Sequence, residues 1–260
     1  MPVDSRPVPA VRRARSLRAP ASPWILMYHS VAEFTGPVED PYGITVTPAA
    51  LRSQLSWLRS RGLRGVSVGE LLRSRAAGRA GGLVGLTFDD GYGDYLTDAL
   101  PLLRRHGFTS TLFVLPGRLG ADNAWDVLGP RKTLLSAEDI REVTAAGQEI
   151  GSHGLLHRDL TAASDDVLRQ ELHGSRELLQ ELTGTLPPGF CYPYGYLDAR
   201  VADAVRAAGY RYACAISPGP LAGPHALPRT HISQADGPLR LHVKRTRHRF
   251  RQITRGVISA

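Results

Sequence analysis

Residues Leu86–Asp94 read LTFDDGYGD, an apolar run that ends in two adjacent aspartates and a Gly-Tyr-Gly turn. Neighbouring like charges repel, and a strand arriving from a covered core leaves at least one of them poorly solvated. Asp-Gly is also a common turn signal at a strand end. Taken alone, the stretch admits both a plain turn and a reactive pair. Just upstream, Leu83–Phe88 (LVGLTF) is almost continuously apolar, as expected of a parallel strand covered on both faces.

The pattern extends in both directions from there. Trp24–Val31 reads as a first core strand, and Thr47-Pro48 opens a helix with Leu51, Leu55 and Leu58 on one face and Gly62 as its stop. LRGVSV is a second strand, followed by a short helix over Gly69–Gly78. A helix over Asp94–His106, a strand over Thr109–Leu115 and a long loop rich in Gly, Asp and Asn come next. Ser136–Asp139 resembles a capping box, QEIGSH is a strand, and Ser164–Leu182 is a long amphipathic helix. GFCYPYG, a helix over Asp198–Ala208 and the strand YRYACAI continue the alternation. Strands alternating with helices make βαβ units and a mostly parallel sheet. About seven such strands in a chain of 260 residues fit an α/β fold with a closed or nearly closed β/α barrel better than a small open sheet. Barrel sites form at the C-terminal ends of strands. Those ends carry Tyr28-His29, Asp89-Asp90, Ser152-His153 and Tyr192-Pro193-Tyr194-Gly195.

Composition is that of an ordinary globular protein, and two cysteines, Cys191 and Cys214, exclude a disulfide framework or a zinc knuckle. No run of about 18 apolar residues predicts a membrane span. The net charge of +8 sits at the ends: residues 1–20 carry +4, residues 239–260 carry +7, and residues 21–238 carry −3. The expected organisation is therefore a basic Pro/Arg-rich segment over 1–20, a central domain over 21–238 and a basic extension over 239–260. The arginines of 1–20 precede no apolar stretch, so the segment does not read as a secretory signal and the expected compartment is the cytoplasm. A basic helix over 239–260 is expected to lie on an anionic membrane surface. Neither end has the interleaved aromatics of a nucleic-acid binder, which argues against that partner.

GSHGLLH (Gly151–His157) places His153 and His157 four apart, which on a helical turn sets both imidazoles on one face. Two histidines and a carboxylate with open positions form a catalytic zinc set, and cobalt, nickel and iron accept the same donors. One aspartate of the pair then holds the metal while the other accepts a proton from the attacking water.

TFDDG (Thr87–Gly91), SHGLLH (Ser152–His157) and YPYG (Tyr192–Gly195) resemble the first three motifs of the polysaccharide deacetylases, carbohydrate esterases of NodB-homology type, which implies their distorted (β/α) barrel of about seven parallel strands. The resemblance implies Asp89 as general base, Asp90, His153 and His157 as ligands of a divalent metal, most often zinc, and an acetylated carbohydrate as substrate. It also implies an oxyanion-binding N–H near Tyr194, with Tyr192, Pro193, Tyr194 and Gly195 forming the sugar groove. MYHSV (Met27–Val31) is similar to the first strand of the subgroup acting on poly-N-acetylglucosamine-like polymers, which implies His29 as the acid, with His231 as the alternative.

This sequence departs from the family at Cys191, where the third motif ordinarily has the arginine that pairs with the base. A neutral thiol cannot hold a carboxylate ionised, so Arg229, in ALPRTH, is the expected replacement. The later DxxDW-like and LxH motifs are not recognisable. The implied reaction is removal of acetyl groups from N-acetylated amino sugars. The rivals are an O-acetyl esterase and a non-catalytic glycan-binding protein.

Overall fold

The computed structural model describes residues 22–34, 36 and 39–257, and their side chains except for residues 249 and 251–257. The basic segment over 1–20 lies outside the described residues.

The chain begins with β1 (Ile25–Tyr28), β2 (Ser30–Val31), β3 (Thr45–Val46), α1 (Pro48–Ser60), β4 (Arg64–Val66), α2 (Val68–Ala76) and β5 (Leu83–Phe88). A π-turn over Tyr95–Ala99 leads into α3 (Leu100–His106), then β6 (Thr111–Val114), α4 (Ala137–Ala145) and β7 (Glu149–Ser152). The next helix is split by a second π-turn, Gln170–Gly174, into α5 (Asp165–Arg169) and α6 (Ser175–Thr183). β8 (Gly189–Cys191), α7 (Ala199–Ala207), β9 (Tyr212–Ala215), β10 (Leu227–Pro228), β11 (Thr230–His231) and α8 (Pro238–Val257) complete it.

The sheet order is β10-β9-β8-β7-β6-β5-β1-β11, with β4 paired beside β5 and every pairing parallel. Its two ends, β10 and β11, are one segment interrupted at Arg229. That segment pairs with β9 on one side and β1 on the other, so the sheet closes into a barrel of seven staves. The expected apolar strands form most of the wall, and β1, β6, β8 and β9 are buried at every position. Helix starts also follow their sequence signals. The Thr47 hydroxyl accepts the Ala50 N–H before Pro48, and Ser136 and Asp139 form the capping box.

Three local expectations change. Trp24–Val31 is not one strand: the sheet lets go at His29, and β2 pairs with β3 outside the barrel. Asp94 causes the departure by accepting from the Ser30 hydroxyl at 2.5 Å and the Val31 N–H at 3.0 Å. The closing strands β10 and β11, of two residues each, were not anticipated. The helix over Ser164–Leu182 carries the π-turn described above. The basic extension is helical through Val257 and rooted in the domain: Leu241 is buried, and Lys244 donates to the Asp236 carboxylate and the His231 carbonyl.

Close strand packing leaves no room at Gly151 in β7, where an added Cβ would stand 2.5 Å from ring carbons of Phe113 on β6. Gly151→Ala is expected to lower stability by about 1–3 kcal/mol, read as a reduced urea midpoint with an unchanged slope.

Candidate active site

Strand β5 delivers both carboxylates. The Asp89 N–H still bonds the Tyr28 carbonyl of β1 at 3.0 Å, so Asp89 is held in register with the barrel. On a regular strand its neighbour would face the other way. Asp90 instead has φ 72° and Gly91 φ 71°, and this left-handed pair swings Asp90 round to line the same cavity as Asp89. Both aspartates are buried, at 2% and 4% exposure.

The Asp90 carboxylate faces two imidazoles. His153 Nε2 lies 3.2 Å and His157 Nε2 3.4 Å from Asp90 Oδ1, yet that oxygen has no hydrogen-bond partner. His153 donates its Nδ1–H to the Cys191 carbonyl at 2.8 Å, which leaves the Nε2 lone pair aimed at the cavity. The pair is not on a helical turn as its spacing suggested. Residues 153–158 form an irregular loop with positive φ at Gly154 (83°) and His157 (63°), and this loop brings the two rings together. His157 is fixed between Trp125, stacked at 4.5 Å, and the edge-on ring of Tyr194 at 4.4 Å.

Three donor atoms of Asp90, His153 and His157 thus converge within 4.8 Å of one another, in a buried pocket, around an acceptor with no proton to accept. This donor set fits a divalent cation. Electrostatics point the same way. Burial disfavours the charged Asp90 carboxylate, but the two imidazoles outweigh it and hold the group well below the usual range. Burial lowers His153, but the adjoining Asp90 carboxylate raises it by more, for a net upward shift; at His157 burial prevails and the shift is downward. The pocket attracts positive charge, and protons and a metal ion compete for the same lone pairs.

Asp89 has a different partner. Arg229, at the seam between β10 and β11, donates from Nη1 to Asp89 Oδ1 at 2.7 Å and to the Thr87 hydroxyl at 3.1 Å. Its Nη2 donates to Cys191 Sγ at 3.0 Å, and the Cys191 thiol lies 3.6 Å from Asp89 Oδ2. Burial raises the Cys191 thiol, so it stays neutral and acts as filler beside the ion pair. Burial also works against the Asp89 charge, but Arg229, and after it His29, leave the carboxyl below its ordinary value. His29 Nε2 stands 3.8 Å from Asp89 Oδ2 and lines the cavity.

The remaining expected residues divide. Tyr194 is 44% exposed and lines the cavity with Gly195. Tyr192 forms part of the wall but is buried, its hydroxyl bonded to the His225 carbonyl. Pro193 is buried without reaching the cavity. His231 lies behind His29, with 6.5 Å between ring centroids, and is also outside the cavity. Sequence reasoning missed Tyr42, Ile44, Trp125, Asp126 and Ile216, which complete the walls. The length of the loop after β6 was the available signal for Trp125 and Asp126, since long loops in compact domains are commonly functional.

The polysaccharide deacetylase family model matches residues 77–213. Bacillus subtilis YxkH, named for the same family, is 26% identical over 219 residues, covering 82% of this chain and 72% of that protein. The poly-beta-1,6-N-acetyl-D-glucosamine N-deacetylases of Staphylococcus aureus are 22% identical over 65% of this chain, which spans 60% of their length. Among solved structures, the Streptococcus pyogenes deacetylase PplD superposes with TM-score 0.73 at 22% identity, covering 87% of this chain and 99% of that one. IcaB of Ammonifex degensii gives 0.69 at 24%, covering 86% and 97%. With half of its length matched by the family model, and that half carrying both aspartates and both histidines, the chain belongs to the polysaccharide deacetylase family.

Proposed function

We propose that this protein is a metal-dependent deacetylase of N-acetylated amino sugars within a glycan. One observation carries the reading: adjacent aspartates have separate partners in one cavity, Asp90 with two imidazoles and Asp89 with a guanidinium. Asp90, His153 and His157 would hold a divalent ion, zinc in the first instance, which would supply Lewis acidity to the acetyl carbonyl and lower the pKa of water. Asp89, kept ionised by Arg229, takes the proton of the attacking water. A backbone N–H near Tyr194 helps hold the oxyanion. His29 protonates the leaving amine; its place in the cavity beside Asp89 favours it over His231, which is set back. The amine is released with acetate.

The test is acetate release from N-acetylated and O-acetylated saccharides by metal-stripped and metal-reloaded protein. Release from N-acetyl donors is expected to return with the metal, and Asp89→Asn to lower it by about 10²–10⁴-fold with the fold retained. Release from O-acetyl donors alone identifies an esterase. Metal binding without release from any donor identifies a glycan-binding protein.

Arg229→Met leaves a buried carboxylate without its cation, with an expected stability loss of about 3–5 kcal/mol near neutral pH by urea unfolding. The sign follows from Asp89's lowered pKa. The pair's contribution is present above the unfolded-state carboxyl pKa and is lost as pH falls through the lower folded value. With Arg229 removed, burial raises the base, and the acid limb of kcat/KM moves to higher pH.

The basic helix α8 turns Leu239, Val243 and Phe250, all exposed and on one face, to solvent between arginines. The expected partner is an anionic membrane surface. Flotation with phosphatidylserine vesicles, compared with neutral ones, is expected to fall in Leu239→Glu/Phe250→Glu; equal flotation would remove the membrane from the account.

A further inference from the structure

The loop carrying His153 and His157 has little regular structure, yet four of its backbone N–H groups and two of its carbonyls are engaged. The His153 N–H bonds the Val114 carbonyl at 2.9 Å, and the Gly154 N–H bonds the Ser152 hydroxyl at 3.2 Å. The carbonyl of Leu155 accepts from Gly117 at 3.1 Å, and that of Leu156 from Arg118 at 3.3 Å. The N–H groups of Leu155 and Leu156 both go to one atom, Oε2 of Glu171, at 2.6 and 3.0 Å.

Glu171 is 2% exposed and lies in the π-turn that interrupts the helix between α5 and α6. Its second oxygen, Oε1, lies 3.3 Å from Arg158 Nε, at the end of the same loop. A Cβ at Gly154 would approach Oε2 to 3.0 Å, so the carboxylate is seated closely under the loop. The π-turn is itself tied to the strand below. Ser152 donates to the Ser175 hydroxyl at 2.8 Å, and Ser175 and Tyr210 both donate to the Leu172 carbonyl, at 3.2 and 3.0 Å. π-turns occur often at functional sites. A buried carboxylate without partners would be costly, and this one takes its partners from the ligand loop.

We propose that Glu171 is a positioning residue for the metal centre. Its Oε2 clamps the Leu155 and Leu156 amides and so fixes the left-handed turn that brings His157 back toward His153 and Asp90. The proposal rests on the reading of His153 and His157 as ligands. Glu171 touches neither the cavity nor a donor atom, and it acts through the backbone between them.

Reach and charge can be separated. Glu171→Asp keeps the charge and shortens the side chain by one methylene, whereas Glu171→Gln keeps the length and an oxygen acceptor. Two readouts are needed on the full-length protein: amide hydrogen exchange of residues 153–158 without metal, and Co(II) affinity with its visible spectrum. Glu171→Asp and Glu171→Ala are expected to lose the protection of Leu155 and Leu156, to bind Co(II) about 10–100-fold more weakly and to show an altered spectrum. Glu171→Gln is expected to keep the protection and to stay within about threefold of the parent in affinity. If Glu171→Ala does not fold, the Asp and Gln variants still decide. Unchanged exchange in Glu171→Asp, or a loosened loop with parental Co(II) affinity and spectrum, would overturn the proposal. So would a loss in Glu171→Gln equal to that in Glu171→Asp. A parent protein that binds no metal overturns the ligand reading itself, and the exchange data then report separately whether Glu171 holds the loop.

Discussion

The ion pair between Arg229 and Asp89 is the constraint on which the rest of the site depends. Both side chains are almost wholly removed from solvent, at 1% and 2% exposure. Two such charges are tolerated only if paired and hydrogen-bonded. Arg229 meets that condition with three partners: Asp89, the Thr87 hydroxyl and Cys191 Sγ. It does so from the one place where the barrel closes. The residues flanking it pair with β9 and β1 respectively, and its own N–H bonds the Ala215 carbonyl. Closing the barrel and seating the cation on Asp89 are therefore one event.

Around that pair the backbone leaves ordinary conformations. The non-glycine residues with positive φ among the described residues are Asp90, His157 and Tyr194, and all three line the cavity. Such conformations cost of order 1–3 kcal/mol each and persist only where the surroundings over-determine them. Asp90 follows a residue locked in the sheet, His157 lies between two aromatic rings, and its loop is tied down by Glu171. These distortions give the adjacent carboxylates different environments. Without the turn at Asp90, strand alternation would put the second aspartate on the far face of the sheet.

The barrel was legible where its signals are local. Continuous apolar runs marked the strands, Thr47-Pro48 and Ser136–Asp139 marked helix starts, and polar strand ends marked the face of the site. The closing segment was not legible, because two strands of two residues each, split by an arginine, have no periodicity to read. The four-residue histidine spacing pointed to two rings that the structure does bring together, but on the wrong backbone, since a glycine loop reaches the same convergence as a helical turn. Trp125 and Asp126 come from a loop whose approach to the site is set by tertiary contacts, such as the stacking of Trp125 on His157. Tyr192 had the composition of a groove residue, but its hydroxyl is used within the fold.

Cys191 and Arg229 pack against the same carboxylate. The sequence resemblance leads one to expect an arginine at position 191, on β8; that position holds a neutral, fully buried thiol, and the guanidinium arrives from the closing segment. The two routes exclude each other, because Asp89 offers a single buried negative charge and Arg229 already occupies Oδ1. An arginine at position 191 would enter space filled by Sγ and find the carboxylate already paired, leaving one cation uncompensated in the barrel interior. A thiol at 191 is thus the expected companion of an arginine at 229: small enough to admit the guanidinium, and polar enough to accept from its Nη2. With a thiol at position 191, the cation beside Asp89 comes from the closing segment instead.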